Sequence, residues 1–129
     1  MTNGLEHGRR LAAQGFRTFL LAGELKSKTE AVVGLGAVSS LQKYNFNKAF
    51  FGTNGITVDS GFTTPDTNEA YVKMEAMKHA QKCYVLADSG KFGTCTSITT
   101  ADISDATIIT GKGVEKEYLE EADIIEVEE

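Results

Sequence analysis

Apolar positions recur along this chain in two rhythms that alternate. Asn3–Gln14 carries Leu5, Leu11 and Ala12 at roughly helical spacing and ends at Gly15, a residue suited to a left-handed helix exit. Phe16–Ala22, FRTFLLA, follows as a continuous apolar run of the kind expected of a buried parallel strand. The alternation then repeats. Leu35–Tyr44 sets Val38, Leu41 and Tyr44 on one helical face before the apolar run Lys48–Phe51. Asp66–Gln81 sets Ala70, Met74, Met77 and Ala80 on a common side before the strand pattern Cys83–Ala87. Thr107–Thr110 predicts a further strand, Val114–Ala122 a helix with Val114, Tyr118 and Leu119 inward, and Asp123–Val127 a closing strand. Helices and strands in strict turn predict an α/β fold: a mostly parallel sheet with helices on both faces. No internal repeat, linker or low-complexity segment interrupts the pattern.

Composition narrows the class. With 129 residues, 41% of them hydrophobic, the chain is long enough to bury a core as one domain over residues 1–129. No apolar run approaches the roughly 20 residues of a membrane helix, and Met1–Arg10 is too polar for a signal peptide, so the expectation is a cytoplasmic chain with no membrane partner. A net charge of −5 supplies no basic face for nucleic acid. Cys83 and Cys95 read as ordinary thiols, and His7 and His79 fall in separate helical patterns; no metal and no cofactor are assigned. The acidic stretch EKEYLEEADIIEVEE reads as a solvated helix and terminal strand.

The candidate chemistry lies in the loops after the strands. In open α/β sheets ligands bind at the carboxyl ends of the strands. After Lys48–Phe51 comes GTNGITVDSGFTTPD, whose Gly52, Gly55 and Gly61 permit tight turns and close backbone approach, and whose Thr53, Asn54, Thr63 and Thr64 offer hydrogen bonds. Its end predicts a helix start, either with Thr64 as N-cap and Pro65 as first helical residue or with Asp66 and Glu69 as a capping pair. The plain alternative is that these residues only make turns and caps. After Cys83–Ala87 comes DSGKFGTCTS, which brings Asp88, Ser89 and Lys91 to the same predicted edge, the lysine suited to a phosphate or carboxylate. A third loop, AGELKSKTEAVVG, adds Lys26 and Lys28, for which a solvated surface is the plain alternative. Three polar loops at one edge suit a small anionic ligand.

The segments TNGLEHGRRLA, LLAGELKSKTEAVVG, NKAFFGTNGI, GFTTPDTNEAYVKMEAMKHA and VLADSGKFG, in this order and spacing, resemble the C-terminal effector domain of DeoR-type sugar-metabolism repressors from Thr2 to about Gly111. The resemblance implies a fold shared with ribose-5-phosphate isomerase and glucosamine-6-phosphate deaminase (the ISOCOT type), used to sense a phosphorylated sugar. It implies an effector site at Gly52, Thr53, Asn54, Gly55, Thr63, Thr64, Asp88 and Lys91. It also implies operator DNA as a partner only through an N-terminal helix-turn-helix domain absent from this chain, and a homo-oligomer. On the family pattern the chain is a fragment, incomplete at its N-terminal side, without the first strand and a Ser/Thr-rich phosphate loop.

Two departures bear on chemistry. Where the related deaminases place an acidic residue, this chain has Asn54 in GTNG, and an amide has no ionisable proton with which to act as a general base. Asn47 stands where the family usually has aspartate. No catalytic residue is assigned; a sugar-phosphate isomerase or deaminase, with Asp59, Asp66 or Asp88 as base, is the alternative reading.

Overall fold

The computed structural model describes residues 1–128 and divides the chain into two compact units, Met1–Tyr44 and Asn45–Glu129. The first unit opens with helix α1 (Leu5–Ala13), in which Glu6 accepts hydrogen bonds from Arg9 at 2.6 Å and Arg10 at 2.8 Å. A hairpin of two-residue strands, β1 (Glu24–Leu25) and β2 (Val32–Val33), and helix α2 (Leu35–Leu41) follow. Leu21, Val32, Val33, Ala37 and Leu41 are its buried apolar residues.

One expectation fails here. Phe16–Ala22 is not a buried strand: it makes a single parallel bridge, Leu20 to Thr2, and its phenylalanines face outward, Phe16 at 60% exposure. Arg17 lies over the Phe19 ring at 5.2 Å. The run has the composition of a strand, but among the described residues no strand beyond that one bridge lies along it, and a strand forms only where a ladder accepts its backbone. Tyr44 is likewise exposed, because the helix ends at Leu41.

The second unit holds the sheet. Strands β3 (Phe46–Phe51), β6 (Ala80–Leu86), β8 (Thr107–Gly111) and β9 (Ile124–Val127) are all parallel and lie in that order. Between β3 and β6 the chain forms β4 (Gly55–Thr57), β5 (Gly61–Thr64) and helix α3 (Thr67–Lys78). Between β6 and β8 it forms β7 (Ile98–Ala101), which with β4 and β5 makes a three-stranded antiparallel sheet. Helix α4 (Lys116–Glu121) connects β8 to β9.

Pleating sends alternate residues to opposite faces. Val85 and Ile108 point to one face and pack with Ile56 and Phe62 of the small sheet, with Ile103 and Ala106, and with Tyr118 of α4; Met77 of α3 joins this core. Both helices of the unit therefore meet the same face. The register carries the opposite rows through Phe50 and Tyr84, through Leu86, Ile109 and Ile125, and on to Val127. Phe50 is 59% exposed and stacks on Tyr84 at 5.1 Å. Of the helical residues expected inward, Ala70 and Tyr118 are buried, whereas Leu119 is exposed because α4 is six residues long and turns only one narrow stripe to the core.

Candidate functional site

Because β3, β6, β8 and β9 run parallel, the residues that follow them all emerge at one edge of the sheet. Gly52–Asn54 leave β3, Ala87–Lys91 leave β6, Lys112 leaves β8 and Glu128 leaves β9. Gly52 has open space where a side chain would be. Next to it the Thr53 hydroxyl is within hydrogen-bond distance of the Gly55 and Thr63 carbonyls, at 3.0 and 3.1 Å, and the Asn54 N–H donates to the Thr63 carbonyl at 3.0 Å. Asn54 itself is exposed.

Lys91 is positioned by a single 3-10 turn, Ser89–Lys91. The Asp88 carboxylate starts this turn by accepting from the Gly90 N–H at 2.9 Å, and its other oxygen lies 3.6 Å from the Lys91 ammonium. The turn is then pinned to the core, because Phe92 packs edge-on against Tyr118 at 4.9 Å and the Gly93 N–H donates to the Ile56 carbonyl at 2.8 Å. Lys91 thus sits one residue from a partly buried anchor, on a backbone that has little freedom to move it.

The rest of the first loop is architecture. Gly55, Thr63 and Thr64 are buried in the β4–β5 hairpin rather than displayed at the edge. A Cβ on Gly55 would lie 2.1 Å from the Thr94 carbonyl oxygen, and one on Gly61, which adopts φ +71°, 2.1 Å from that of Ala101. The close approach these glycines permit is to this chain's own backbone. The Thr63 hydroxyl accepts from the Thr96 N–H at 3.0 Å. Thr64 closes β5, so the helix begins beyond Pro65: Asp66 is the N-cap, its carboxylate accepting from the Glu69 N–H at 3.0 Å. That is the second of the two starts expected, and it places two acidic residues at the end of α3 where an anion would otherwise be favoured.

The edge also contains residues absent from the sequence-based site. An open cleft of about 540 Å³ is lined by Asp88, Ser89, Gly111, Lys112, Val127 and Glu128. Lys112 donates to the Glu128 carboxylate at 2.7 Å. The signal for Lys112 was its position directly after TIITG, at a strand's carboxyl end, which an isolated lysine in a polar stretch does not advertise. Lys26 and Lys28 belong to the first unit, in the turn between β1 and β2, where the Lys26 N–H donates to the Ala31 carbonyl at 2.8 Å. Among the described residues no group of three His, Cys, Asp or Glu side chains is placed to hold a metal, and no helix is long and apolar enough to cross a membrane. Asp59 lies in the hairpin turn, Asp66 caps α3 and Asp88 faces Lys91, so the three carboxylates weighed as bases occupy separate structural roles.

Comparison with known proteins supplies an independent line. Residues 1–112 match the model of the DeoR C terminal sensor domain. The chain is 44% identical over 110 residues to the HTH-type transcriptional regulator FruR of Bacillus subtilis, an alignment covering 85% of this chain and 44% of that protein. It is 32% identical over 120 residues to the HTH-type transcriptional regulator IolR of the same organism, covering 92% and 48%. With the lactose phosphotransferase system repressor of Staphylococcus epidermidis it shares 40% identity over 78 residues, covering 60% and 31%. These names denote regulators, not enzymes. The chain spans about half the length of the first two of these relatives and about a third of the repressor.

Proposed function

The chain belongs to the family of DeoR C-terminal sensor domains, and from that premise we propose that it is the effector-sensing part of a sugar-metabolism transcriptional regulator. Its ligand is a phosphorylated sugar, and the binding site is the carboxyl edge of the four-stranded sheet. The observation that carries this reading is the meeting of two loops there. Gly52–Asn54 and Asp88–Lys91 leave the adjacent parallel strands β3 and β6, one loop bringing open backbone and the other an ammonium on a turn whose next residue, Phe92, packs on the core. An ammonium beside hydroxyls and accessible backbone complements a phosphate with neighbouring hydroxyls.

In this reading Gly52, Asn54, Asp88 and Lys91 touch the effector, while Thr53, Gly55, Thr63 and Thr64 shape the hairpin that holds the first loop. Operator binding belongs to a helix-turn-helix segment of a longer, oligomeric regulator working in the cytoplasm, in keeping with the names of the relatives and the share of their length matched here. A sugar-isomerase-like sensor fold is part of the same proposal, although the helices expected over both faces of the sheet are not what this chain's second unit has: α3 and α4 both cover one face. The name of the lactose phosphotransferase system repressor agrees with a phosphorylated sugar as the signal.

A thermal-shift panel of fructose 1-phosphate, tagatose 6-phosphate and glucosamine 6-phosphate, repeated on Lys91→Ala, tests the reading. One sugar phosphate is expected to raise the melting temperature, and Lys91→Ala is expected to weaken its binding by about 1.5–3 kcal/mol, the scale of a hydrogen bond to a charged group. Equal binding by Lys91→Ala would remove this residue from the site.

A further inference from the structure

Lys112 and Glu128 stand together at the mouth of the cleft for a reason fixed by sheet register. Gly111 of β8 pairs with Val127 of β9, so the next residue of each parallel strand, Lys112 and Glu128, leaves the ladder side by side. Their side chains meet at 2.7 Å while remaining largely exposed, at 66% and 81%. An ion pair so exposed is held by little, because water screens it and two long side chains must be ordered to form it. Across the cleft lie Asp88 and Ser89, so the ligand's hydroxyls would meet a carboxylate and a hydroxyl while its charge would meet Lys112.

We propose that Lys112 is a second anion-anchoring residue of this edge, and that Glu128 is its resident counter-ion, displaced when the phosphate group of the ligand arrives. This rests on the reading of the edge as a sugar-phosphate site. A phosphate near neutral pH carries more charge than the carboxylate it replaces and has three oxygens to offer one ammonium, so the exchange runs toward the ligand. Glu128 then sets the threshold: it lowers affinity for weakly charged anions and leaves the lysine to a dianion. The pair is therefore a specificity device built from the residues that directly follow β8 and β9.

The test is a calorimetric or NMR titration of the 129-residue chain with inorganic phosphate and with fructose 1-phosphate. The variants are Lys112→Met, Glu128→Gln, the two combined, and Glu126→Gln, which changes net charge equally at an exposed position in the same strand. Glu128→Gln is expected to tighten phosphate about threefold, the scale of an exposed ion pair. Lys112→Met should weaken it, and the double variant should gain nothing over Lys112→Met alone.

Unchanged or weaker phosphate binding in Glu128→Gln overturns the proposal, as does an equal gain in Glu126→Gln, which would mark a general charge effect. Wild-type affinity in Lys112→Met overturns it as well. The outcomes separate it from the broader reading. If fructose 1-phosphate binds, depends on Lys91 and ignores Lys112 and Glu128, the exchange falls and the sensor site stands. If inorganic phosphate follows the Lys112 and Glu128 variants and no sugar phosphate binds better than phosphate itself, the exchange stands and the sugar reading falls.

Discussion

Individual side chains report their surroundings most directly through protonation and volume. Glu6 is held by two arginines, and the Arg9 hydrogen bond, followed by that from Arg10, lowers its carboxyl from 4.5 to about 2. A carboxyl with a depressed folded-state pKa stabilises above its unfolded value and loses that contribution as pH falls toward its folded one. Helix α1 should therefore keep its Glu6 contacts at pH 5 and lose them progressively from pH 4.5 to about 2. A carbon-detected NMR titration of the Glu6 carboxyl should show this displaced midpoint, and a midpoint near the ordinary glutamate value would contradict the twin contacts. Gly55 tests volume instead. Its missing Cβ faces the Thr94 carbonyl, so Gly55→Ala should destabilise the second unit by about 1–3 kcal/mol, the range for overpacking. Urea denaturation would show it as a lower midpoint; an unaltered midpoint would contradict the close approach of the Thr94 carbonyl to Gly55.

At the level of elements, the sequence announced what was long or periodic and hid what was short and paired at a distance. The helices around Ala70 and Tyr118 and the strands around Val85 and Ile108 were legible because each carries its own rhythm of apolar residues. The small sheet was not. Gly55–Thr57 and Gly61–Thr64 read as turn residues because glycine and threonine dominate them, and their third partner, Ile98–Ala101, lies more than 30 residues on. The same blindness affected the site: Lys91 was visible as a lysine among small polar residues, but Lys112 needed the register of β8 against β9 to be placed in the cleft. Phe16–Ala22 shows the opposite error, since an apolar run declares a need for burial without declaring that a ladder will be there. Helix α3 offers a clean check on capping. Asp66→Ala should cost about 0.5–2 kcal/mol, the usual range for loss of an N-cap, and a Thr64→Val variant should leave helix content unchanged. Circular dichroism through a urea titration of both variants would expose a wrong assignment of the cap.

For the molecule as a whole, the four-stranded sheet ends in two strands of different character. Strand β9 carries Glu126 within it and Glu128 directly after it, charges that discourage another chain from pairing there. Strand β3, FNKAFF, ends the sheet on the other side with one charged residue in six. Strand ends of that kind favour pairing with another chain, and sedimentation at rising concentration should show at least dimers; Phe50→Lys, which adds a second charge to the strand, should shift the distribution toward monomer. A clean monomer of the unsubstituted chain at high concentration would count against this edge as an association surface.

The spatial order β3-β6-β8-β9 is also the order in which the strands occur along the chain. Each new strand therefore joins the outer flank of the one before it, with no need to insert between two already paired. A polypeptide emerging from the ribosome can build such a sheet by accretion, one strand per crossover. The sequence meets that schedule halfway, since Ile56 and Phe62, which fill the space beneath the sheet, are synthesised before β6 and β8 arrive to cover them. Mechanical pulling from the carboxyl end would run the same programme backwards, peeling β9 first and leaving β3 and β6, the longest pairing in the sheet, until last.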